Sequence, residues 1–423
     1  MATRILILYH SSIFEKRPGA DQHIYTTAKI LSEANIVYVI TWGEGESKTV
    51  NEGNLTIVHF GNGRKKHNLV NRGKHLGFLI DTLAYLGFHY IIFLQRKKGP
   101  SVSNVLNIIK EGFDVAIRVS YNNNKIPKFL KKRQSTHVVE LAIVGGLPHY
   151  LSNIDDWIRY IGLFSPVSMK PFKFLYRVMR RIVFKFCVSS LASRNVIVIS
   201  QVDRKMLENV PGLKVQYIPP LLDFNTEVAK VSDNRIALFF SGNSLAAQIA
   251  CRFILAAARK VKDVQFFITG FVPDFISTID IPDNLKFTGF LEKDRFEDLF
   301  ERSSIVILPL ISGSGLQTKM AEALSKAKPI ITTSVIADEF PGLENGEHVL
   351  VEDDPAQFVE KIKLLAQDRG LREKLSRGAR DYYYNNFSKE ISLRLHLEYL
   401  NSIKDDKNQK RRECPKKMKG NFK

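Results

Sequence analysis

The chain of 423 residues carries 62 Lys and Arg against 43 Asp and Glu, which gives a formal net charge of +19. Its hydrophobic content of 44% is enough to pack globular cores and excludes a chain that is disordered throughout. One ordinary core is too small for this length, so we expect two domains of roughly 200 residues with a cleft between them.

The basic charge balance predicts an anionic partner or surface. The apolar run Leu76–Gln95 contains Asp81 and His89, which are costly in hydrocarbon, so a packed or surface-lying helix is favoured over a membrane span. Val167–Cys187 holds six basic residues and no acidic one, interleaved with aromatic residues. This segment, together with the basic tail, fits either an anionic membrane surface or a packed helix with a solvated basic face. No base-reading motif appears, so nucleic acid is not an expected partner.

The N-terminus and the cysteines predict a cytoplasmic protein, which can lie at the inner face of the membrane. The first residues lead directly into the apolar run Ile5–Leu8 without a small-residue cleavage site, so we expect a strand rather than a signal peptide. Cys187, Cys251 and Cys414 match no metal or redox spacing. We expect two packed thiols and one thiol in the tail, as in a reducing cytosol.

In the first half, strand-like runs alternate with amphipathic stretches of helix length, which is typical of parallel sheets built from βαβ units. The stretch Asp21–Glu33 carries apolar residues at helical spacing and predicts a helix. The predicted strands of this half are Ile5–Tyr9, Ile36–Thr41, Leu55–Phe60, Val115–Val119, Val138–Leu141 and Val196–Ile199.

The second half restarts the same alternation, so the predicted fold class is α/β with two doubly wound, Rossmann-like domains. Ligands are then expected outside the carboxyl ends of the strands, facing the gap between the domains. Its predicted strands are Ile236–Phe240, Gln265–Thr269, Leu285–Thr288, Ile305–Leu308 and Pro329–Thr333. Its predicted helices are Ala247–Val261, Lys293–Ser303, Leu316–Ser325, Phe358–Leu365 and Leu371–Tyr383.

The domain boundary is predicted where proline, glycine and polar residues interrupt both periodicities. Residues 1–210 form the predicted first domain, 211–235 the linker and 236–387 the predicted second domain. Residues 388–403 are predicted to form a last helix that can cross back to the first domain. The Lys- and Arg-rich residues 404–423 lack apolar periodicity and predict a disordered basic tail.

The most informative motif follows the predicted strand Ile305–Leu308. A loop contains Gly313, Ser314 and Gly315, and a helix is predicted to begin near Leu316. Backbone N–H groups at a helix start have no intrahelical partner and form an anion site suited to a diphosphate. The glycines allow a phosphate to approach the backbone closely.

Lys319 and Glu322 lie three residues apart and therefore share one face of this predicted helix. Lys319 can neutralise phosphate, and Glu322 can accept hydrogen bonds from a ribose diol. The alternative is an ordinary surface ion pair between the two side chains.

Together these residues resemble a known family. The run from Ile305 to about Arg380 is similar to the C-terminal domain of the retaining GT-B glycosyltransferases, also described as group 1 or family 4-like, which include sucrose- and mannosyltransferase-like enzymes. Lys328–Thr333 and Asn345–Val351 resemble that family's later strands, and Lys286–Leu291 resembles its nucleotide-base loop. The likeness is strongest between Leu285 and Val351.

The first half resembles the same family more loosely. Pro18–His23 is similar to the glycine-bearing loop before the first helix, Ser200 follows a strand as in the family, and Tyr217–Asp223 resembles the inter-domain segment. The resemblance implies a GT-B fold, in which two Rossmann-like domains face each other across a cleft. It also implies a substrate-binding set of Gly19, Gly242, Asn243, Ser244, Gly289, Phe290, Leu291, Gly313, Ser314, Gly315, Leu316, Lys319 and Glu322.

Two positions depart from the family pattern. The family's Glu-x7-Glu motif places its first carboxylate where this chain has Ser314, so only Glu322 carries over, as in the subgroup with Gly-Ser-Gly followed by Lys and Glu. The usual basic pair after the first strand of the second domain is missing from Ser241–Gln248. Lys319 therefore remains as the expected positive charge at the diphosphate.

The acceptor side is less defined, and the predicted catalytic set is Lys319, Glu322, Glu140 and His137. Glu140 lies at a predicted strand end, whereas His137 and His149 could equally be uninvolved loop residues. No metal or cofactor is expected, because the resemblance implies none. The paired aspartates at 155–156, 353–354 and 405–406 fall in predicted turns or helix caps.

The resemblance implies transfer of a sugar from a UDP- or GDP-type donor to a glycan or lipid-linked glycan, with retention of configuration. A GT-B-fold nucleotide-sugar epimerase would need no acceptor and is one alternative. A catalytically degenerate nucleotide-sugar-binding protein is the other, because Ser314 and the missing basic pair weaken the site.

Overall fold

The computed structural model describes residues 2–9, 20–43, 48–61, 113–119, 137–142, 188, 194–220, 231–242, 244–311 and 317–413. Several predicted features lie outside these residues, namely Leu76–Gln95, Val167–Cys187, Gly19, His149, Asn243, Gly313, Ser314, Gly315 and Leu316. Within the described part of the chain, none of the helices combines the length and the hydropathy that a bilayer crossing requires.

The first domain is built on an eight-stranded sheet of order β3-β4-β2-β1-β5-β6-β7-β8. All neighbouring strands pair in parallel except β3 and β4, which are antiparallel. The six predicted strands are confirmed with shifts of one or two residues at their ends. The strands are β1 Arg4–Tyr9, β2 Ile36–Gly43, β3 Lys48–Glu52, β4 Leu55–Gly61, β5 Val115–Val119, β6 His137–Ala142, β7 Asn195–Val198 and β8 Lys214–Tyr217.

Two edge strands of this sheet were not predicted from the sequence. β3 is mostly exposed and polar, so it lacks the apolar alternation of a half-buried strand. β8 has only four residues and is partly exposed along its length. Both strands form because a neighbouring strand offers unpaired backbone N–H and C=O groups. The hydrophobic pattern of one segment does not show such pairing with another segment.

The second domain contains a six-stranded, entirely parallel sheet of order β11-β10-β9-β12-β13-β14. This is the 3-2-1-4-5-6 order of a doubly wound domain, in which the strand order reverses between β9 and β12. Ligands bind at the carboxyl side of such a switch point. The strands are β9 Ile236–Ser241, β10 Gln265–Gly270, β11 Leu285–Gly289, β12 Ile305–Leu308, β13 Ile330–Thr332 and β14 Leu350–Val351.

The described helices match the predicted ones closely in the second domain. Residues Asp274–Thr278 add a short 3-10 helix between two strands. The helices are α1 Ala20–Leu31, α2 Gln201–Leu207, α3 Leu245–Lys260, α4 Lys293–Arg302, α5 Thr318–Ser325, α6 Ser334–Ala337, α7 Pro355–Gln367, α8 Arg369–Phe387 and α9 Lys389–Glu413.

The last helix corrects the predicted tail, because α9 continues to Glu413 rather than ending near Ile403. Residues 404–413 consist mainly of Lys, Arg, Gln, Asp and Glu, and they contain neither Gly nor Pro. Most of these residue types have good helix propensity, so a helix already nucleated by packing extends into them. Only residues 414–423 of the predicted tail lie outside the described residues.

Helix α9 returns to the first domain. Leu400 and Ile403 are buried in the same hydrophobic cluster as the strands of the first sheet. The Ser392 hydroxyl donates to the Pro219 carbonyl at 3.2 Å, and the Tyr399 hydroxyl donates to the Lys214 carbonyl at 3.2 Å. The chain therefore ties both domains together through its last helix.

A second tie lies where the carboxyl ends of the two sheets meet. Ser200, just beyond β7, donates its hydroxyl hydrogen to Glu339 Oε2 of the second domain at 2.6 Å. The same hydroxyl oxygen accepts from the Asp203 backbone N–H and caps α2. Ser200 follows the carboxyl end of β7, which is Val198, and Glu339 follows α6 in the second domain. The contact therefore brings the carboxyl edges of the two sheets to the same gap between the domains.

Helix α8 packs closely against the turn that contains Glu347. A Cβ atom at Gly378 would lie 2.1 Å from the Glu347 carbonyl oxygen and 2.9 Å from its carbonyl carbon. Real Cβ atoms do not approach backbone atoms so closely, so the absence of a side chain at this position sets the distance between helix and turn.

We expect Gly378→Ala to destabilise the protein, because the new methyl group must push two backbone segments apart. Overpacking of this kind costs about 1–3 kcal/mol or more, which corresponds to a fall in Tm of several degrees. Thermal unfolding of the variant measures the effect.

Gly370→Ala on the same helix is the matched control. Its Cβ would lie 3.4 Å from a single Asp368 side-chain oxygen, an ordinary contact, and Ala favours a helix over Gly. The control should keep or slightly raise the Tm. Equal Tm values for the two variants would contradict the packing argument.

Candidate functional site

Three strand ends of the second sheet carry described residues of the predicted site. β9 ends at Ser241 and leads to Gly242, β12 ends at Leu308 and leads towards α5, and β11, at the outer edge of the sheet, ends at Gly289 before Phe290. Parallel strands bring their carboxyl ends to one edge of a sheet, so the segments that follow them share this edge. β9 and β12 are neighbours and form the switch point itself.

Lys319 crosses the switch point from α5 to the end of β9. Its Nζ lies 3.2 Å from the position that a Cβ atom of Gly242 would occupy, and 5.8 Å from the centroid of the Phe239 ring. Gly242 thus leaves the space that the ammonium fills. The structure places these two predicted substrate-binding residues together.

The Lys319 side chain is largely removed from water, and this burial lowers its pKa to about 8, while the nearby Cys251 thiol acts in the opposite direction. Among the residues that the structure describes, no carboxylate forms an ion pair with Lys319. A buried ammonium without a carboxylate partner is costly on its own and is stabilised by an anion. The arrangement is suited to a phosphate group at the switch point.

The start of α5 supports the same conclusion. The helix begins at Thr318, two residues later than predicted, and its capping residue Gln317 makes no side-chain hydrogen bond to the first turn. Lys319 is the second residue of this helix, so its ammonium and the amide-bearing end of the helix lie close together. Gly313, Ser314, Gly315 and Leu316 lie outside the described residues, so their predicted role stays a prediction.

Glu322 is also largely buried, and it lies one turn further along α5. Burial raises its pKa to about 7, Lys326 lowers it and Glu297 raises it further. Lys326 Nζ lies 3.9 Å from Glu322 Oε1. A surface ion pair between Lys319 and Glu322, the alternative left open by the sequence, is wrong, since both are buried and Glu322 pairs with Lys326.

Phe290 offers an exposed aromatic surface at the carboxyl end of β11. Gly289 adopts φ of +69°, a left-handed conformation that favours glycine. Leu291 packs against the hydrophobic core, whereas the Phe290 side chain is 84% exposed. A large aromatic ring exposed to this extent at a strand end is available for stacking on a planar ligand group.

Ser244 has a structural role in addition to its predicted one. Its hydroxyl oxygen accepts from the Ala247 backbone N–H at 3.1 Å and caps α3. The cap fixes the start of α3 at Leu245, three residues after Gly242, so the helix begins next to the switch point. Asn243, predicted with it, lies outside the described residues.

The predicted catalytic role of His137 stays a prediction, and the structure gives only the position of this residue in the sheet. His137 is the first residue of β6 and pairs with Val115, the first residue of β5. It therefore lies at the amino edge of the sheet, about 10 Å along the strand from Glu140 at roughly 3.3 Å per residue. Glu140 lies nearer the carboxyl edge, opposite Val196 of β7, and its proposed acceptor-side role stays a prediction.

The aspartates at 353 and 354 have the predicted structural roles. Asp354 caps α7 by accepting from the backbone N–H groups of Ala356 and Gln357, and Asp353 accepts from Ser334. In the described ranges, no group of His, Cys, Asp and Glu side chains is arranged to hold a metal ion. Cys251 is a buried thiol, as predicted.

Sequence reasoning missed the charged neighbours of Glu322. Glu297 belongs to α4, and no spacing rule relates it to α5 across a strand and a loop. Lys326 lies four residues after Glu322, a spacing that places two side chains on one helix face, so the sequence did carry a signal for this neighbour.

Comparison with known proteins identifies a family for part of the chain. Residues 235–368 match the family model of Glycosyl transferases group 1, so the predicted resemblance is confirmed for the second domain. No curated protein sequence matches the chain.

Solved structures match nearly the whole chain. Sucrose-phosphate synthase from Thermosynechococcus elongatus matches with a TM-score of 0.61 and 12% identity, over 97% of this chain and 98% of that one. HepE from Anabaena in complex with UDP and glucose matches with a TM-score of 0.59 and 16% identity, over 95% and 100%. A TarM variant from S. aureus in complex with fondaparinux, alpha-GlcNAc-glycerol and UDP matches with a TM-score of 0.60 and 12% identity, over 95% and 100%. At these identities the likeness concerns the fold, and the predicted GT-B fold is confirmed.

We expect the affinity of the protein for UDP to fall as the pH rises through about 8. Lys319 carries its charge below its pKa and loses it above, and a bound diphosphate favours the charged form. The phosphates of UDP are already ionised in this range, since a phosphate monoester has its second pKa near about 6. Titration calorimetry between about pH 7 and pH 9 measures the trend.

Lys319→Met should bind UDP more weakly and with little change across this pH range. Lys374→Met, which removes a half-exposed lysine paired with Glu347, is the matched control and should follow the wild-type curve. The same pH slope in Lys319→Met as in the wild type would show that another group governs binding.

Proposed function

We propose that this protein, whose residues 235–368 carry a group 1 glycosyl transferase domain, transfers a sugar from a nucleotide-diphosphate sugar to a glycan or lipid-linked glycan. The observation that carries the proposal is the buried Lys319 ammonium at the switch point between β9 and β12. A buried cation with no carboxylate partner in the described residues needs an anion, and a diphosphate supplies one in the place where doubly wound domains bind nucleotides.

The donor is proposed to extend along the carboxyl edge of the second sheet. Phe290 stacks on the nucleotide base, Glu322 accepts hydrogen bonds from the ribose diol, and Lys319 contacts the diphosphate. Each side chain has the matching chemistry, namely an exposed ring, a buried carboxyl and a buried ammonium. The sugar would then project towards the gap between the domains, where the Ser200–Glu339 contact lies.

Stabilisation of the leaving group is the main physical task in the proposed reaction. The electron pair of the glycosidic C–O bond goes to the diphosphate, an acceptor hydroxyl oxygen forms the new bond to the sugar, and the proton of that hydroxyl passes to an oxygen of the departing diphosphate. Lys319, in a site of low polarity, stabilises the growing negative charge without having to reorganise. Retention of configuration and independence from a bound cation are part of the proposal and follow the family resemblance.

A uridine diphosphate donor is favoured over a guanosine one. The HepE and TarM structures, which share the fold, contain UDP, and the TarM complex also contains glycan-like molecules. These ligands belong to those proteins, and they support the same classes of donor and acceptor for this chain.

We expect Phe290→Ala and Glu322→Gln each to weaken UDP binding relative to the wild type. Loss of base stacking on an aromatic ring costs about 1–3 kcal/mol, or roughly fivefold to 150-fold in affinity. Titration calorimetry with UDP and GDP measures both effects, with Lys374→Met as the surface control. Wild-type affinity in both variants would remove these residues from the donor site.

Product analysis separates transfer from the two alternatives. UDP release that depends on added acceptor, with the sugar recovered on that acceptor, supports the transferase. Conversion of the donor into an isomer without acceptor would identify an epimerase. Binding of UDP-sugar without turnover would identify a nucleotide-sugar-binding protein, which the replacement of the first family carboxylate by Ser314 favours as the second candidate.

We also propose that the protein acts in the cytoplasm at an anionic membrane surface, which the net charge of +19 supports. Sedimentation with vesicles that contain phosphatidylserine should carry the protein into the pellet at low salt and release it at high salt, because salt screens exposed charges. Neutral vesicles are the control. Absence of the protein from the anionic pellet at low salt would contradict the proposal.

A further inference from the structure

We infer that Lys326, held between Glu297 and Glu322, is a positioning residue for recognition of the donor ribose. The inference rests on the proposed function, in which the Glu322 carboxyl receives the ribose hydroxyls. It assigns a role to two side chains, Lys326 and Glu297, that the proposed donor contacts leave unused.

Lys326 is fixed by contacts on several sides. Its Nζ forms an ion pair with Glu297 on α4 and lies 3.9 Å from Glu322 Oε1 on α5. It also lies 4.7 Å from the centroid of the Phe300 ring, and only 5% of its side chain is exposed. A lysine enclosed in this way cannot sample many rotamers, so the Glu322 carboxylate has a fixed partner.

The residues that follow Lys326 hold the ends of α4 and α5 together. Ala327 adopts φ of +57°, which ends α5 sharply. Lys328 then donates to the carbonyl oxygens of Glu301 at 2.9 Å and Ser303 at 2.8 Å, at the end of α4. These bonds join the ends of α4 and α5, so Glu297 on one helix and Glu322 on the other face Lys326 at constant distance.

The charged groups around Glu322 act on it in opposite directions. Burial, the largest effect, and the Glu297 carboxylate raise the pKa of Glu322, whereas Lys326 lowers it. Lys328 and Glu301 form the next layer, since Lys328 repels Lys326 and Glu301 attracts Lys328. With the pKa of Glu322 at about 7, the carboxyl is divided between its two protonation states near neutral pH.

The protonation state matters for the proposed contact. An ionised carboxylate accepts hydrogen bonds at both oxygens and can receive both hydroxyls of a ribose diol, whereas a protonated carboxyl has lost part of that capacity. Lys326 therefore favours the ribose-binding form, and Glu297 opposes it while holding Lys326 in place. A lysine buried only for stability would be an expensive choice, because an apolar side chain avoids its desolvation cost.

The test compares the affinities for UDP and 2′-deoxy-UDP across pH, because their ratio reports the ribose contact alone. In the wild type the preference for UDP should rise with pH as Glu322 ionises. Lys326→Met should move the midpoint of this rise to higher pH. It should also reduce the preference for UDP over 2′-deoxy-UDP at neutral pH at least about threefold. Glu297→Gln should move the midpoint to lower pH, since it removes a negative neighbour.

Controls separate the possible failures. Lys326→Arg should restore most of the wild-type midpoint, and Lys374→Met should leave it unchanged. If Lys326→Met does not fold, the opposite shift of Glu297→Gln still decides the question. The positioning role would be overturned if Lys326→Met and Glu297→Gln both keep the wild-type midpoint while Glu322→Gln loses the preference for UDP. No UDP preference in the wild type would instead refute the proposed ribose contact.

Discussion

A positive charge that is buried beside a glycine is the constraint on which the site depends. Lys319 reaches the end of β9 because Gly242 has no side chain to occupy that space. Its burial makes the charged form costly, as its lowered pKa shows. The protein therefore keeps a costly ammonium at the edge of its second sheet, and the proposed diphosphate would stabilise its charged form.

The strand order explains why this charge lies at that edge. In the order 3-2-1-4-5-6, the segments after β9 and β12 leave on opposite faces of the sheet and open a crevice between them. Helix α5 follows the loop after β12 and carries both Lys319 and Glu322, one turn apart. The two side chains then diverge, Lys319 towards β9 and Glu322 towards α4, so that they can contact successive groups of an extended ligand.

The relation between the domains adds the acceptor side. The Ser200–Glu339 hydrogen bond and the return of α9 to the first core hold the carboxyl edges of both sheets against one gap. Glu339 is buried at this contact, and burial raises its pKa. In the proposed reaction, a donor on one domain would meet an acceptor on the other across this gap.

The sequence by itself determined most of the parallel strands, the restart of the pattern near residue 236 and the identity of Lys319 and Glu322. These features depend on local periodicity and on motifs within about 20 residues, which a single segment carries in full. It could not place His137 relative to the cleft, because the direction of a strand is a property of the assembled sheet. It also missed β3 and β8, whose backbone pairing depends on a neighbour.

Only the tertiary structure decided what surrounds the two predicted side chains. The sequence left open whether Lys319 and Glu322 form a surface ion pair, and the fold buries both and gives Glu322 a different partner, Lys326. Glu297 joins this group from another helix, 25 residues before Glu322 in the chain. Burial and the Glu297 contact arise from packing between elements, and they shift the pKa of Glu322, so local sequence could not supply them.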